Sequence, residues 1–205
     1  ALDYLLEMAP DSPQASRWKS LREGIERNVR AHLWDVKRQK FIPHIYPEKS
    51  PIPEGFDELA IHFHGGTAIA IEAGLLSEDE IRTVNAQMLE NVRLSGMPSI
   101  GLTLYPVYPD GFFHGGMSKA YLYQNGGDWT WFGGRMIQQL VVNGMVEEAY
   151  AEIHPMIERV IQNDGFYEWY GKGGVPSGSG NFKGSAGVLS KAIELLRDWA
   201  EKNKS

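Results

Sequence analysis

The chain lacks cysteine, long apolar runs and runs of basic residues. Because none of its 205 residues is cysteine, disulfide bonds, thiolate catalysis and cysteine-based zinc sites are excluded, whereas cytoplasm and periplasm both stay open as compartments. No apolar run approaches the roughly 20 residues needed to span a bilayer, so we expect no membrane contact. The net charge of −6 and the lack of a basic run argue against a nucleic-acid partner.

Motifs for phosphate binding and for a nucleophilic serine are also missing. Gly178-Ser179-Gly180 lies in a Gly/Ser-rich loop, and the segment 184–187 opens a predicted helix without a strand before it, so neither is a nucleophile elbow. We therefore predict no cofactor. With 42% hydrophobic residues, the chain can form one domain over residues 1–205 with a substantial core.

The first half of the chain predicts helices separated by a proline-rich connection. Apolar residues spaced three or four apart predict an amphipathic helix over 16–33. The connection 34–58 has too many prolines for a helix or a central strand. After it, 65–73 reads as an apolar helix ended by Gly74, and the capping box 77–80 starts a more polar helix that runs to about Val92.

The same order of helices recurs in the second half. An apolar helix over 133–143 is followed by an amphipathic helix over 146–162, and a terminal helix runs from 184 to about 199. This alternation predicts an all-α fold of about three repeated helical hairpins, with inner helices near 62–74, 131–143 and 184–199. Long loops precede each inner helix, so they should lie at one end of the array, where a binding site would be built.

One of these loops contains the segment Tyr-Gln-Asn-Gly-Gly-Asp-Trp-Thr-Trp at 123–131. Amide and carboxylate side chains hydrogen-bond polyhydroxylated ligands, and flat aromatic rings cover the apolar face of a sugar. We predict that Gln124, Asn125 and Asp128 bind sugar and that Trp129 and Tyr108 stack on it. The alternative is a loop that closes over its own aromatic rings, with each ring packed in the core.

The histidines allow a second interpretation. His62, His64 and His114 would surround a metal if their loops converged, but His62 and His64 lack the i,i+4 spacing of a helical zinc pair. No dense carboxylate cluster accompanies them, so we predict no metal. We predict instead that His64 and His114 hydrogen-bond sugar hydroxyls or cap a helix.

The chain resembles the carboxy-terminal half of the (α/α)6 toroid, or six-hairpin, glycosidases. The resemblance rests on the order of the hairpins, on the segment 123–131 before one inner helix and on Tyr167-Glu168-Trp169-Tyr170 before the last. This group includes glucoamylases, trehalases, alkaline invertases and the amylo-glucosidase domain of debranching enzymes. Their motif Tyr-His-Asn-Gly-x-x-Trp-Pro is matched here with Gln124 for His and Thr130 for Pro. The resemblance implies a partial toroid and hydrolysis of O-glycosyl bonds in an oligosaccharide or glucoside.

In that group the catalytic general base lies on the loop before the last inner helix, where this chain has Glu168. Aromatic residues flank Glu168 and a glycine-rich stretch follows it, so we expect a partly apolar pocket under a mobile loop. An inverting glycosidase needs such a base to deprotonate water. The alternative is a solvated glutamate paired with Lys172 or Lys183.

The resemblance places the general acid in the first half of the toroid, outside this chain. By position on the loop face, Asp57 or Glu58 could serve as the general acid, although Asp57 also suits a helix-capping role.

Two further functions stay open: a carbohydrate-binding half-toroid without catalysis, and a sugar phosphorylase of the same clan whose glycine loop holds phosphate. A half-toroid leaves apolar flanks, so we expect self-association or contact with a missing N-terminal half.

Overall fold

Seven α-helices dominate the computed structural model, which describes residues 1–204. They are α1 (Leu2–Met8), α2 (Ala15–Leu33), α3 (His64–Glu72), α4 (Glu78–Ser95), α5 (Thr130–Val142), α6 (Val146–Gln162) and α7 (Lys183–Lys202). The strands form three short antiparallel pairs: β1 (Trp34–Asp35) with β2 (Lys40–Phe41), β3 (His62–Phe63) with β4 (Leu104–Tyr105), and β5 (Trp169–Tyr170) with β6 (Pro176–Ser177). The predominance of helix confirms the all-α class.

Most predicted helices are present with similar bounds. The helix over 146–162 has the predicted ends, and Ser77 and Glu80 form the predicted capping box at the start of α4. The first inner helix, predicted over 65–73 within a region near 62–74, spans His64–Glu72, and His62 and Phe63 before it pair with Leu104 and Tyr105 as strands. The pairing satisfies backbone groups of two long loops that would otherwise lie without partners.

Helix α5 lies between α3 and α7, and glycines permit the close approach. A Cβ atom on Gly65 would lie 2.2 Å from a ring carbon of Phe132, and one on Gly134 would lie 2.9 Å from a methyl carbon of Val188. Gln138 of α5 also donates a hydrogen bond of 2.8 Å to the carbonyl of Val188. Gly65 of the first pair and Gly134 of the second therefore serve helix packing.

The main core is built from the inner faces of α3 to α7. Its fully buried members include Ala68, Ile71, Ile81, Val84, Met88, Met136, Ile137, Leu140, Ile153, Met156, Leu189 and Ala192. A second, smaller cluster lies among the loops and is centred on Ile61, Leu104 and Tyr108. The loop cluster carries most of the side chains that concern the site.

The first two helices are packed differently, because neither α1 nor α2 contains a buried residue. Leu21 and Ile25, which belong to the predicted apolar face of α2, are 47% and 56% exposed. On another part of the surface, Tyr150, Ile193 and Trp199 line an apolar groove of about 450 Å³ between α6 and α7. The described chain therefore has two apolar surfaces that it does not cover itself.

We expect the isolated chain to associate through these surfaces. The double substitution Leu21→Glu/Ile25→Glu should weaken association at least tenfold, since burying one such side chain contributes about 1.5–3 kcal/mol. Sedimentation velocity over a range of concentrations measures this, with Ser20→Glu on the same helix as the control. A wild-type chain that stays monomeric at high concentration would contradict the prediction.

The core also contains a buried carboxyl group between α4 and α6. Glu152 accepts a hydrogen bond of 2.8 Å from the Asn85 amide through Oε1, and its Oε2 has no hydrogen-bond partner. Burial raises the pKa of Glu152 to about 7, against a smaller opposing effect of the Asn85 hydrogen bond. Between pH 4.5 and about 7, Glu152 therefore stays protonated in the folded protein, whereas in the unfolded chain, where its pKa has the ordinary value of 4.5, it loses the proton.

The free energy of unfolding should consequently fall as the pH rises from about 4.5 to about 7. Glu152→Gln removes this titration, so at pH 8 it should stabilise the protein by up to about 3 kcal/mol, with little effect near pH 4. Urea unfolding at both pH values measures the difference, with exposed Glu23→Gln as the control. Equal stabilisation at the two pH values would show that Glu152 does not titrate as described.

Candidate functional site

The loops that precede the three inner helices are joined by backbone hydrogen bonds. His64 N–H donates to the Thr103 carbonyl, and Thr103 N–H donates to the Gly127 carbonyl, both at 2.9 Å. Asp128 and Tyr170 exchange two N–H···O bonds of 2.9 and 2.8 Å. The starts of α3, α5 and α7 therefore meet at one end of the helical array, and the two loops with sugar-type motifs lie side by side.

A buried ion pair between Asp128 and Arg159 stabilises this junction of loops. The Asp128 carboxylate, with no exposed surface, lies 2.8 Å from the Arg159 guanidinium, which is 5% exposed. The Ser99 hydroxyl donates to both carboxylate oxygens at 2.8 and 2.7 Å. Arg159 also donates to the Thr130 hydroxyl at 2.7 Å and lies over the Tyr170 ring at 4.0 Å. Asp128 thus ties α6 to both loops.

Asn125 has a similar role in the neighbouring turn. Its Oδ1 accepts from the Tyr108 N–H at 2.9 Å, and its Nδ2 donates to the Tyr108 carbonyl at 3.1 Å and to the Lys119 carbonyl at 3.3 Å. The side chain therefore pairs with the Tyr108 backbone as a strand would. Such bonds satisfy buried peptide groups that the long loop cannot satisfy by itself.

These contacts correct part of the predicted sugar site. Asn125, Asp128, Trp129 and Tyr108 are buried, and contacts within the chain already occupy their polar side-chain atoms, so in this conformation they offer nothing to a ligand. The Trp129 indole donates to the Tyr123 carbonyl at 3.3 Å, and the Tyr108 ring stacks on Phe112. All four residues support the loops from within, which is the packing alternative that the sequence had left open.

The prediction that His64 hydrogen-bonds a sugar hydroxyl is corrected for the same reason. Its ring is buried and its Nε2 lies 3.1 Å from the Asn91 amide, while burial lowers the pKa of His64 to about 3. It is therefore a neutral core histidine. Gln124 and His114, by contrast, are exposed, so both remain available to a ligand.

Glu168 lies at the junction with one side open to solvent. Its backbone N–H donates to the Ser179 carbonyl at 2.9 Å, and the Tyr123 hydroxyl lies 3.4 Å from its Oε1 as a donor. Gly178 packs directly against the carboxyl group: it has a φ of +72°, and a Cβ there would lie 2.4 Å from Oε2. Only glycine suits both that conformation and that approach.

No cation neutralises Glu168 within residues 1–204. Lys172 lies instead over the Tyr121 ring, with its ammonium 3.7 Å from the ring centre, and no lysine or arginine nitrogen of the described chain lies within ion-pair distance of the Glu168 carboxylate. The alternative of a Lys172 or Lys183 salt bridge is therefore not present in this conformation.

The Tyr123 hydroxyl reaches the Glu168 carboxylate, and the Trp169 ring lies edge-on to the Tyr123 ring; neither residue was predicted as a site residue. Tyr123 and Trp169 are half-buried, and their ring centres lie 6.1 Å apart at 89°. Burial, together with the Glu168 charge, raises the pKa of Tyr123. Trp169 could have been found from its position next to Glu168, whereas the positive φ of 53° that turns Tyr123 toward the loop has no signal in the sequence.

A second carboxylate lies among the loops. Glu58 accepts hydrogen bonds from the Tyr108 hydroxyl at 2.6 Å and the Tyr46 hydroxyl at 2.8 Å, and His44 Nδ1 lies 2.8 Å away. Burial alone raises the pKa of Glu58, but these hydrogen bonds outweigh it and hold the pKa below the ordinary value. A general acid must carry a proton before the reaction, so this environment does not suit Glu58 to that role.

Asp57 does not have the predicted capping role. It precedes the 3₁₀ helix Glu58–Ala60, but its side chain makes no capping hydrogen bond, and it is exposed. The residue at the start of this short helix that forms buried side-chain contacts is Glu58. A direct acid role for Asp57 has no supporting contact among residues 1–204.

Over residues 1–204, no group of three or more histidine, aspartate or glutamate side chains has the geometry to hold a metal ion. None of the helices in that range is both long enough and apolar enough to cross a bilayer. No protein-family model matches the chain, and no curated protein is significantly similar to it.

Proposed function

We propose that the chain forms the general-base half of an inverting glycoside hydrolase that acts on an oligosaccharide or glucoside. The observation that carries this proposal is the setting of Glu168, a half-buried carboxylate that the Tyr123 hydroxyl contacts, with the half-buried Trp169 ring against Tyr123 and without a cationic partner. Rings of this kind bind the apolar face of a sugar, and a carboxylate not engaged in an ion pair can accept a proton.

The proposed chemistry follows from that setting. Glu168 takes a proton from a water molecule as the water attacks the anomeric carbon, and the Tyr123 hydroxyl orients the carboxylate through Oε1. The acid that protonates the leaving oxygen acts from the opposite face of the sugar, roughly 6.5–9.5 Å from Glu168. As the resemblance implies, that acid belongs to the first half of a toroid, and neither Asp57 nor Glu58 replaces it.

The helix arrangement supports a toroid-like organisation. Trp131 lies against Gly184 and Gly134 lies against Val188, so α5 and α7 run side by side in the same direction. The amphipathic helix α6 lies between them in the chain, and α4 follows α3 in the same way, which suits a repeated hairpin. The continuation of this repeat into a six-hairpin ring belongs to the proposal.

A second candidate is carbohydrate binding without cleavage. It is favoured by one observation: Glu58, which was considered as the acid, is engaged in hydrogen bonds with Tyr46 and Tyr108. Glu168 is then left without an acid partner, and one carboxylate does not perform inverting hydrolysis. Both candidates place sugar on the same aromatic rings. They differ in whether a glycoside is cleaved.

Sugar binding tests what the two candidates share. Trp169→Ala should weaken the binding of an oligosaccharide panel about tenfold, since it removes the half-buried ring that lies against Tyr123. Isothermal titration calorimetry measures this, with Trp199→Ala as the control, because Trp199 is exposed in the α6–α7 groove. A wild-type chain without affinity for any glycan of the panel, or equal losses in both variants, would contradict carbohydrate binding at this site.

A further inference from the structure

A separate cavity, widely open to solvent and of about 900 Å³, lies between β2, β3 and α4. Lys40 and His62 line it from the strands, and Ala86, Gln87 and Asn91 line it from the helix. It shares no lining residue with the Glu168 site. Its volume falls in the range of pockets that bind small organic molecules.

Lys40 brings an unpaired positive charge to this cavity. The side chain is only 3% exposed, and its Nζ donates to the Ile61 carbonyl. Among residues 1–204, no carboxylate lies within ion-pair distance of that nitrogen; the nearby Asp35 is paired with Arg38 at 2.9 Å. A buried ammonium group without an anionic partner is unfavourable unless something else neutralises it.

The other charges at the cavity are already neutralised by neighbours outside it. Arg82 pairs with Glu78 at 2.7 Å, and Glu90 pairs with Arg93 at 2.5 Å. Arg38 is likewise occupied by Asp35. Lys40 is therefore the charge in this part of the described chain that a ligand would neutralise.

Gln87 adds a second unsatisfied group. Its Nε2 donates to the Arg38 carbonyl at 2.9 Å, which fixes the orientation of the amide. Its Oε1 is buried and has no hydrogen-bond partner within residues 1–204. Buried acceptors are almost always paired, and a hydroxyl group is a donor that fits an amide oxygen.

We propose that this cavity binds a small polyhydroxylated anion, a sugar bearing a phosphate or carboxylate group, with the anion at Lys40 and a hydroxyl on Gln87. The anionic group neutralises the ammonium, and the hydroxyl supplies the donor that Gln87 lacks. The cavity is larger than an inorganic anion requires, so the carbon skeleton occupies the remaining space. The proposal stands independently of glycoside hydrolysis.

Binding should depend on pH through Lys40. Burial, with a smaller effect of Arg38, lowers its pKa to about 8, while Asp35 and Asp57 oppose this decrease. Burial and the Lys40 charge lower the pKa of His62 to about 4, so His62 stays neutral. Affinity for an anion of constant charge should therefore decrease as the pH rises from 7 to 9.

The test uses sulfate, a hexose 6-phosphate and the same hexose without phosphate, with binding measured by calorimetry. We expect the hexose phosphate to bind more tightly than sulfate and the free hexose not to compete. Lys40→Met should weaken binding of both anions at least tenfold and abolish the pH dependence. Lys37→Met, an exposed lysine on the same turn, is the matched control and should bind like the wild type.

Ala86→Glu provides a second variant if Lys40→Met fails to fold. Position 86 is exposed on α4, and the new carboxylate would occupy the cavity as an internal counter-ion. It should abolish anion binding, whereas Leu94→Glu on the same helix should not. Absence of anion binding by the wild type at about 10 mM, or unchanged affinity in Ala86→Glu, would overturn the proposal. Anion binding retained in Glu168→Gln would separate this site from the glycosidase site.

Discussion

Glu168→Gln is expected to lower the turnover of a glycoside by about 10²–10⁴-fold with little change in sugar binding. Glutamine has nearly the same shape and still accepts the hydrogen bond that Tyr123 donates at Oε1, but it cannot take a proton from water. The expected loss therefore appears in kcat. Steady-state kinetics of the hydrolysing protein and calorimetry with the same oligosaccharide measure the two effects separately.

The control for this experiment is Glu54→Gln, because Glu54 is an exposed glutamate on another loop. Its kinetics should match those of the wild type. If Glu168→Gln retains the full rate, Glu168 is not the base. If binding and turnover fall together, the substitution has disturbed the loop itself, and the close packing of Gly178 on the carboxyl group would be the structural reason.

The second large effect is expected from Asp128→Ala, which should lower the free energy of unfolding by about 3–5 kcal/mol. The substitution leaves the Arg159 guanidinium buried at 5% exposure without its counter-ion, and it also removes the acceptor of the Ser99 hydroxyl. Urea denaturation with linear extrapolation measures the loss.

Asp198→Ala is the matched control for Asp128→Ala. Asp198 pairs with Arg197 at 3.0 Å on the surface, with 40% and 62% of the side chains exposed, and such pairs contribute about 0–1 kcal/mol. The contrast between the two aspartates tests whether Asp128 is a structural residue. A loss below about 1 kcal/mol in Asp128→Ala would contradict that role.

The helices could be predicted because their signals are local. Spacing of apolar residues, glycines after helix ends and the Ser77–Glu80 capping box are all read within a few positions, and α2, α4 and α6 appear close to where these signals place them. The strand just before the first inner helix has no such local signal, because it depends on the pairing of His62 and Phe63 with a loop about 40 positions further along the chain.

The site was harder to predict because polarity does not say which way a side chain faces. The sequence motif around Asp128 suggests a ligand-binding carboxylate. In the structure, however, Asp128 is buried and forms an ion pair with Arg159 on α6, so its role is structural. Glu58 is likewise engaged by Tyr108, 50 positions away. The role of Glu168 stays a prediction; the structure shows that its carboxyl group is half-buried and packed against Gly178, which lies ten positions further along the chain.

If Glu168 activates a water molecule opposite a separate acid, the stereochemistry of the first product will show it. NMR spectroscopy during the first minutes of hydrolysis identifies the anomer that is released before mutarotation. We expect the anomer with inverted configuration, because water attacks from the face opposite the leaving group. First release of the anomer with retained configuration would contradict the mechanism.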